Sequence, residues 1–197
     1  WKFTPFSLKH IVYPSTPILD FLTQQSPPFR FHGTDVIPAN LLIPYKLESI
    51  SGYDAVYPFS IAKFIGVINS NSADGSPQDR YGIVNNGGSR LIDLVNTKYF
   101  FSKSDEVEEI FDGREYREVF RDKSVVIFEN LHVLPRAFMV YDWEVINNEQ
   151  QLLEKLVSTD FNFREKILLE EPPPLNKNSN KGLYDLSYES YSENESS

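Results

Sequence analysis

The chain has 197 residues, with 28 acidic side chains against 19 basic ones and a formal net charge of −9. Hydrophobic residues make up 41% and aromatics 14%, which excludes wholesale disorder and suffices for one substantial core. The negative balance argues against nucleic acid as a partner, and the absence of Cys removes disulfides, zinc–thiolate sites, iron–sulfur clusters and thiol catalysis.

Residues 1–16 carry Pro5 and Pro14 and no clean period, so they read as an irregular lead-in. A first helix is predicted over 17–25. Thr16 can cap it, Pro17 suits its first position, and Ile18, Leu19, Phe21 and Leu22 make its apolar side. Ser26-Pro27-Pro28 stops it. Phe29-Arg30-Phe31-His32 alternates like a strand that ends at Gly33-Thr34-Asp35. Residues 36–56 are irregular. A second helix is expected from Pro58, with Ile61, Ala62, Ile65 and Ile68 at helical spacing. Asn69–Arg80 reads as a polar loop and Asn85–Gly88 as a turn. Ser89 then caps a short helix carrying Leu91, Ile92 and Val95.

Lys98–Ser102 reads as a strand, with Lys98 at an edge or against an acid. After the charged stretch Asp105–Glu109, Glu115–Phe120 and Val125–Asn130 form a hairpin around Asp122-Lys123. Arg136–Ile146 is a long strand candidate, with Ala137, Met139, Tyr141, Trp143 and Val145 on one face. Asn147 opens the most regular helix, with Gln150 at capping-box spacing and Leu152, Leu153, Leu156 and Val157 as its stripe. Ile167–Leu169 is a last core strand. These elements define an α+β fold: a mixed or mainly antiparallel sheet with three to four short helices packed against it. The domain spans 1–171. Residues 172–197 form a Pro-rich linker followed by the start of a truncated β domain or a disordered tail. The chain opens on Trp1, and we read it as a piece of something larger.

No apolar run approaches the roughly 20 residues that a spanning helix needs. Phosphate-loop fingerprints, HExxH and GxSxG are absent. Asn86-Gly87-Gly88-Ser89 fits an ordinary turn better than an anion cradle. His10, His32 and His132 have no ligand-spaced partners, and Asn69, Asn71 and Asp74 fail the calcium-loop spacing. Glu106, Glu108, Glu109 and Asp112 read as a solvated run. No catalytic residue, metal or cofactor is assigned. Tyr45, Tyr53, Tyr57 and Phe59 crowd one region, and either fill the core or give a sugar-binding or interfacial surface its apolar face.

Several stretches, in order, resemble the extracytoplasmic region of YfhO-like bacterial membrane proteins. These are Pro28–Phe31, Asn40 followed by Ser49–Tyr57 with Gly52-Tyr53-Asp54, Arg90–Phe100 (RLIDLVNTKYF), Phe128-Glu129-Asn130 and Leu134–Phe138 (LPRAF). The family consists of multispanning proteins similar to GT-C-type glycosyltransferases. Its membrane spans are missing here, and so is the aromatic-Pro-Gly-Trp segment expected after the C-terminal strand. The resemblance implies a soluble, non-catalytic domain on the extracytoplasmic face. The parent would move sugar from a polyprenyl-phosphate donor to a cell-envelope acceptor. The implied partners are the membrane part of the same polypeptide and an envelope glycan or lipid-linked sugar, with no nucleic acid.

Within that reading Tyr53, Asp54 and Arg136 are the candidate ligand-binding residues. Tyr53 and Asp54 face an acceptor sugar or pin their loop to the core, with Gly52 holding an unusual backbone angle. Arg136 meets a ligand phosphate or carboxylate, or locks Glu129 or another acid. The alternatives are a structural or protein-interaction module without sugar contact, and a free-standing carboxylate-based glycosidase.

Overall fold

The computed structural model describes residues 13–33, 36–38, 40–54, 56–106 and 114–173. The expected tail elements beyond Pro173, most of the lead-in, Asp35, and Glu108, Glu109 and Asp112 lie outside the described residues.

Helix α1 spans Pro17–Thr23 and starts as its sequence demands: Thr16 accepts a hydrogen bond from the Leu19 N–H, and Pro17 sits where no N–H is needed. Strand β1 (Arg30–His32) follows. A single 3-10 turn over Ile43–Tyr45 leads to the short strands β2 (Glu48–Ser49) and β3 (Gly52–Tyr53). Helix α2 (Phe59–Ser70) begins after Pro58 and ends where Asn71 turns left-handed, so the expected polar loop starts two residues late. Strand β4 is Tyr81–Gly82. Ser89 accepts from the Leu91 N–H and caps a short helix, which is a 3-10 turn over Arg90–Ile92.

Strand β5 (Thr97–Lys103) pairs antiparallel with β7 (Val125–Asn130), and β7 with β6 (Tyr116–Arg121). On the other side of β5 lies β1, parallel to it, with β2 parallel to β1 at the edge. The order β2-β1-β5-β7-β6 is a mixed sheet, and the fold is α+β. Strand β8 (Asp142–Val145), helix α3 (Glu149–Val157) and strand β9 (Lys166–Leu169) are the last elements among the described residues, with β8 and β9 parallel in their own small sheet.

Alternation along the two central strands splits the core by face. Phe100, Val126 and Phe128 pack with Ile65, Val67 and Ile68 of α2, Leu91, Ile92, Leu153 of α3, and Phe161 and Phe163. Tyr99, Phe101, Val125 and Ile127 point the other way, onto Leu19 and Leu22 of α1, Phe29, Phe31 and Leu42. The sheet is thus covered on both sides, which is why β5 and β7 read as nearly continuous apolar runs. The Phe31 and Phe101 rings stack at 4.9 Å.

Three expectations need correction. The long strand from Arg136 is only Asp142–Val145, because the chain before it bends to serve the β2 edge and has no ladder partner. The α3 cap is Asn148, which accepts from the Gln151 N–H at 3.0 Å, not Asn147. Gln150 instead donates to Asp74 at 2.8 Å. Gly52 has no left-handed backbone; among the described residues the glycine with positive φ is Gly33, at 141°.

Candidate functional site

The segment between β1 and α2, read from sequence as irregular, is held by side-chain hydrogen bonds in place of long ladders. Asn40 takes the left-handed region (φ 70°), and its amide grips the Tyr53 backbone: Nδ2 donates to the Tyr53 carbonyl at 2.8 Å and Oδ1 accepts its N–H at 3.4 Å. Ser51 Oγ accepts the Val84 N–H at 3.0 Å. Tyr57 donates its hydroxyl to the Gln78 carbonyl at 3.2 Å.

These contacts wall a cleft of about 610 Å³ between the β1–β2 edge, the β3–β4 ribbon and α2. It is lined in part by Arg30, Asn40, Glu48, Tyr53, Asp54 and Tyr57. The Tyr53 side chain is 46% exposed, and its ring lies 4.8 Å from that of Tyr81 across the ribbon. Asp54 Oδ1 accepts the Val56 N–H at 3.1 Å, a local turn that leaves the carboxylate exposed at the rim.

Arg136 is not in the cleft wall. Its Nη2 donates at 2.7 Å to Oε2 of Glu48, which is. The same oxygen accepts from Arg30 Nε at 3.2 Å, and Arg30 Nη1 also donates to the Val95 carbonyl at 3.2 Å. Arg136 therefore locks an acid, as one of its two expected roles required. The acid is Glu48, not Glu129. Glu129 sits between Lys98 (3.8 Å) and Arg117, which donates from Nε at 3.1 Å, so Lys98 meets its acid on a central strand. The structure thus brings Tyr53 and Asp54 to one cleft, with Arg136 behind its wall.

Of the four clustered aromatics, none is buried: Tyr45 and Tyr57 are half-buried, Tyr53 and Phe59 exposed. Sequence reasoning passed over Glu48 and Tyr81. A carboxylate paired 88 positions away leaves no local mark, and a two-residue ribbon has no period to detect. Asn40 entered only through the family resemblance.

The other candidates resolve into structure. Asn86 Oδ1 accepts the Gly88 N–H at 3.0 Å, so that segment is a plain turn. Asn69 donates to the Ile83 carbonyl and accepts from the Asn85 N–H, and ties a loop. His32 is buried against Phe100. No cluster of three metal-ligating side chains occurs among the described residues. Glu106 pairs with Lys103 at 2.9 Å.

A second polar cluster is buried. Asp93 Oδ1 accepts from Arg114 Nη2 (2.6 Å) and from Asn130 Nδ2 (2.7 Å). Asn130 Nδ2 also reaches the Thr97 carbonyl, and Asn96 Nδ2 donates to the Leu134 carbonyl at 2.9 Å. Beside it, Tyr116 donates to the Gly87 carbonyl, and burial pushes its phenol up from 10.0 to about 12. This cluster joins RLIDLVNTKYF, Phe128-Glu129-Asn130 and the start of LPRAF into one bonded unit.

Comparison with protein-family models, with curated proteins and with solved structures gives no match.

Proposed function

We propose that this chain is a non-catalytic carbohydrate-binding module on the extracytoplasmic face of a larger, YfhO-like membrane glycosyltransferase. The observation that carries the sugar reading is the exposed Tyr53–Tyr81 pair at a cleft walled by amide and charged side chains. A pyranose ring has an apolar C–H face and a rim of hydroxyls, and needs that combination. The three later resemblance segments support the family reading, since they are bonded to one another through Asp93, Asn96 and Asn130 as a shared scaffold would be. In this reading the membrane part of the same polypeptide is the principal partner. No described helix is long and apolar enough to cross a membrane.

The test is a heteronuclear titration of the full chain with envelope glycan fragments and soluble lipid-linked-sugar analogues. Resonances around Tyr53 and Tyr81 shift, and Tyr53→Ala weakens binding about tenfold. No binding, together with full activity of a parent enzyme lacking this region, overturns the proposal.

A second reading is a protein-docking face. Val56 (84% exposed), Phe59 (71%) and Ile43 (65%) stand in solvent around the same segment. Under that reading Phe59→Ser breaks assembly with the parent and leaves sugar titrations flat.

A further inference from the structure

The cleft wall contains two glycines that the fold itself does not require. The geometry points to Gly52 and Gly82 as the residues that decide which sugar the cleft admits, with the ligand lying directly on their backbone.

Elsewhere glycine is a packing necessity. A Cβ on Gly33 would press into the Phe101 backbone, one on Gly66 into the Ser76 backbone, and one on Gly75 into the backbone of Gly66. Gly33 also has a positive φ, which Gly52 and Gly82 do not. A Cβ on Gly52 has only Asn40 Oδ1 beside it, at an ordinary 3.6 Å. A Cβ on Gly82 comes within 3.1 Å of Ile65 Cδ1, the movable end of a side chain, and 3.8 Å of Tyr57 Cζ. Glycine weakens a strand, and yet two of the four residues in the β3–β4 ribbon are glycine.

The pair is in register across the ribbon: Gly52 stands opposite Gly82, and Tyr53 opposite Tyr81. Alternation therefore gives the ribbon one aromatic face and one bare face. The bare face looks toward Asn40, Ile65 and Tyr57, all of which line the cleft with the two glycines. Strand glycine without a packing reason marks a place where a ligand approaches the backbone closely. The surroundings suit a pyranose there. Ile61, Ile65 and the Tyr57 ring offer carbon to its C–H face. Asn40 gives one amide N–H and one oxygen lone pair to the Tyr53 backbone, and so retains one of each. A sugar hydroxyl both donates and accepts, and matches that remainder. A methyl group added to the floor lifts the ring away from the backbone and from Asn40 together.

The role of the glycine pair rests on the carbohydrate reading, and the experiment separates the two. The full chain is titrated with cellobiose, lactose and mannobiose. Heteronuclear shifts are followed at Asn40 and Tyr53, and the melting temperature of each variant is measured. The unmodified chain is expected to bind at least one of these disaccharides. Gly52→Ala weakens that binding about tenfold or more with the melting temperature unchanged, and Gly52→Val weakens it further. Gly82→Ala also weakens it. In an Ile65→Val background the crowding methyl is gone, so Gly82→Ala melts with Ile65→Val alone and still binds about tenfold more weakly than that variant. Binding that tolerates both alanines overturns the role of the glycines and leaves the carbohydrate reading standing. So does affinity that returns once Ile65→Val relieves Gly82→Ala, because the glycine then serves packing alone. No binding of any of the disaccharides by the unmodified chain overturns both.

Discussion

Asn130, at the end of β7, donates from Nδ2 to Asp93 Oδ1 at 2.7 Å, within a cluster where both residues are less than a tenth exposed. That bond joins the last residue of a central strand to the turn that feeds the neighbouring one. Asp93 also neutralises Arg114, whose side chain is 13% exposed. Asp93→Ala strands a buried cation and takes one acceptor from the Asn130 amide, and should cost about 3–5 kcal/mol in denaturant unfolding. Asn130→Ala, which leaves the ion pair intact, should cost about half as much. Equal small losses in both would show that the cluster contributes little.

Gly66 tests a backbone contact. It lies in the middle of α2, where Ala would normally stabilise by about 1 kcal/mol. A Cβ there collides with the Ser76 backbone carbonyl. Gly66→Ala should therefore destabilise by about 2 kcal/mol or more. Gly52→Ala places its Cβ at an ordinary 3.6 Å from Asn40 Oδ1 and should leave the melting temperature nearly unchanged.

Alkaline titration probes Tyr116. Its folded phenol ionises near 12 against an ordinary 10.0, so the neutral form is favoured by the native state. The associated stabilisation is fully present below pH 10 and is lost as pH climbs through 12. A two-unit shift corresponds to about 3 kcal/mol at most. Tyr116→Phe removes this alkaline slope in stability against pH, at a cost of about 1 kcal/mol near neutrality for the bond to Gly87. An unchanged slope in the variant would assign the alkaline loss to other groups.

Asn40→Gly separates positioning from folding. Glycine accepts the left-handed backbone at this site, so only the two amide bonds to Tyr53 disappear. Sugar affinity should fall severalfold, with about 1 kcal/mol lost in stability. A large loss of stability with intact affinity would make Asn40 a purely structural residue.

Local chemistry was legible wherever a cap or turn residue acts on its own neighbours. Thr16, Ser89 and Asp122 behave as their positions in sequence predict, and Asp122 Oδ1 accepts from both the Ser124 and Val125 N–H groups, which holds its carboxyl below the usual range. Where two residues satisfy the same rule, sequence does not choose: Asn147 and Asn148 are each followed three positions on by a glutamine, and the second is used. Alternation over Arg136–Ile146 was real as a pattern, yet a strand also needs a partner edge, and only Asp142–Val145 finds one in β9. Asp93, in the apolar run LIDLV, was passed over, since only Arg114 and Asn130 beside it in the fold give a carboxylate there its reason. The cleft was half legible, since Tyr53 and Asp54 line it while the Glu48–Arg136 pair depends on a fold-long separation.

Strand β1 lies inside the sheet with parallel neighbours on both sides, and one of them, β5, begins about 65 residues downstream. A polypeptide growing from its N-terminus therefore presents Phe29 and Phe31 long before their covering strand exists. Closing so distant a pair is slow relative to hairpin formation. Assembly in the cell must wait for Thr97–Lys103 to emerge, and until then the early segment is the natural client of any chaperone that holds unfinished chains.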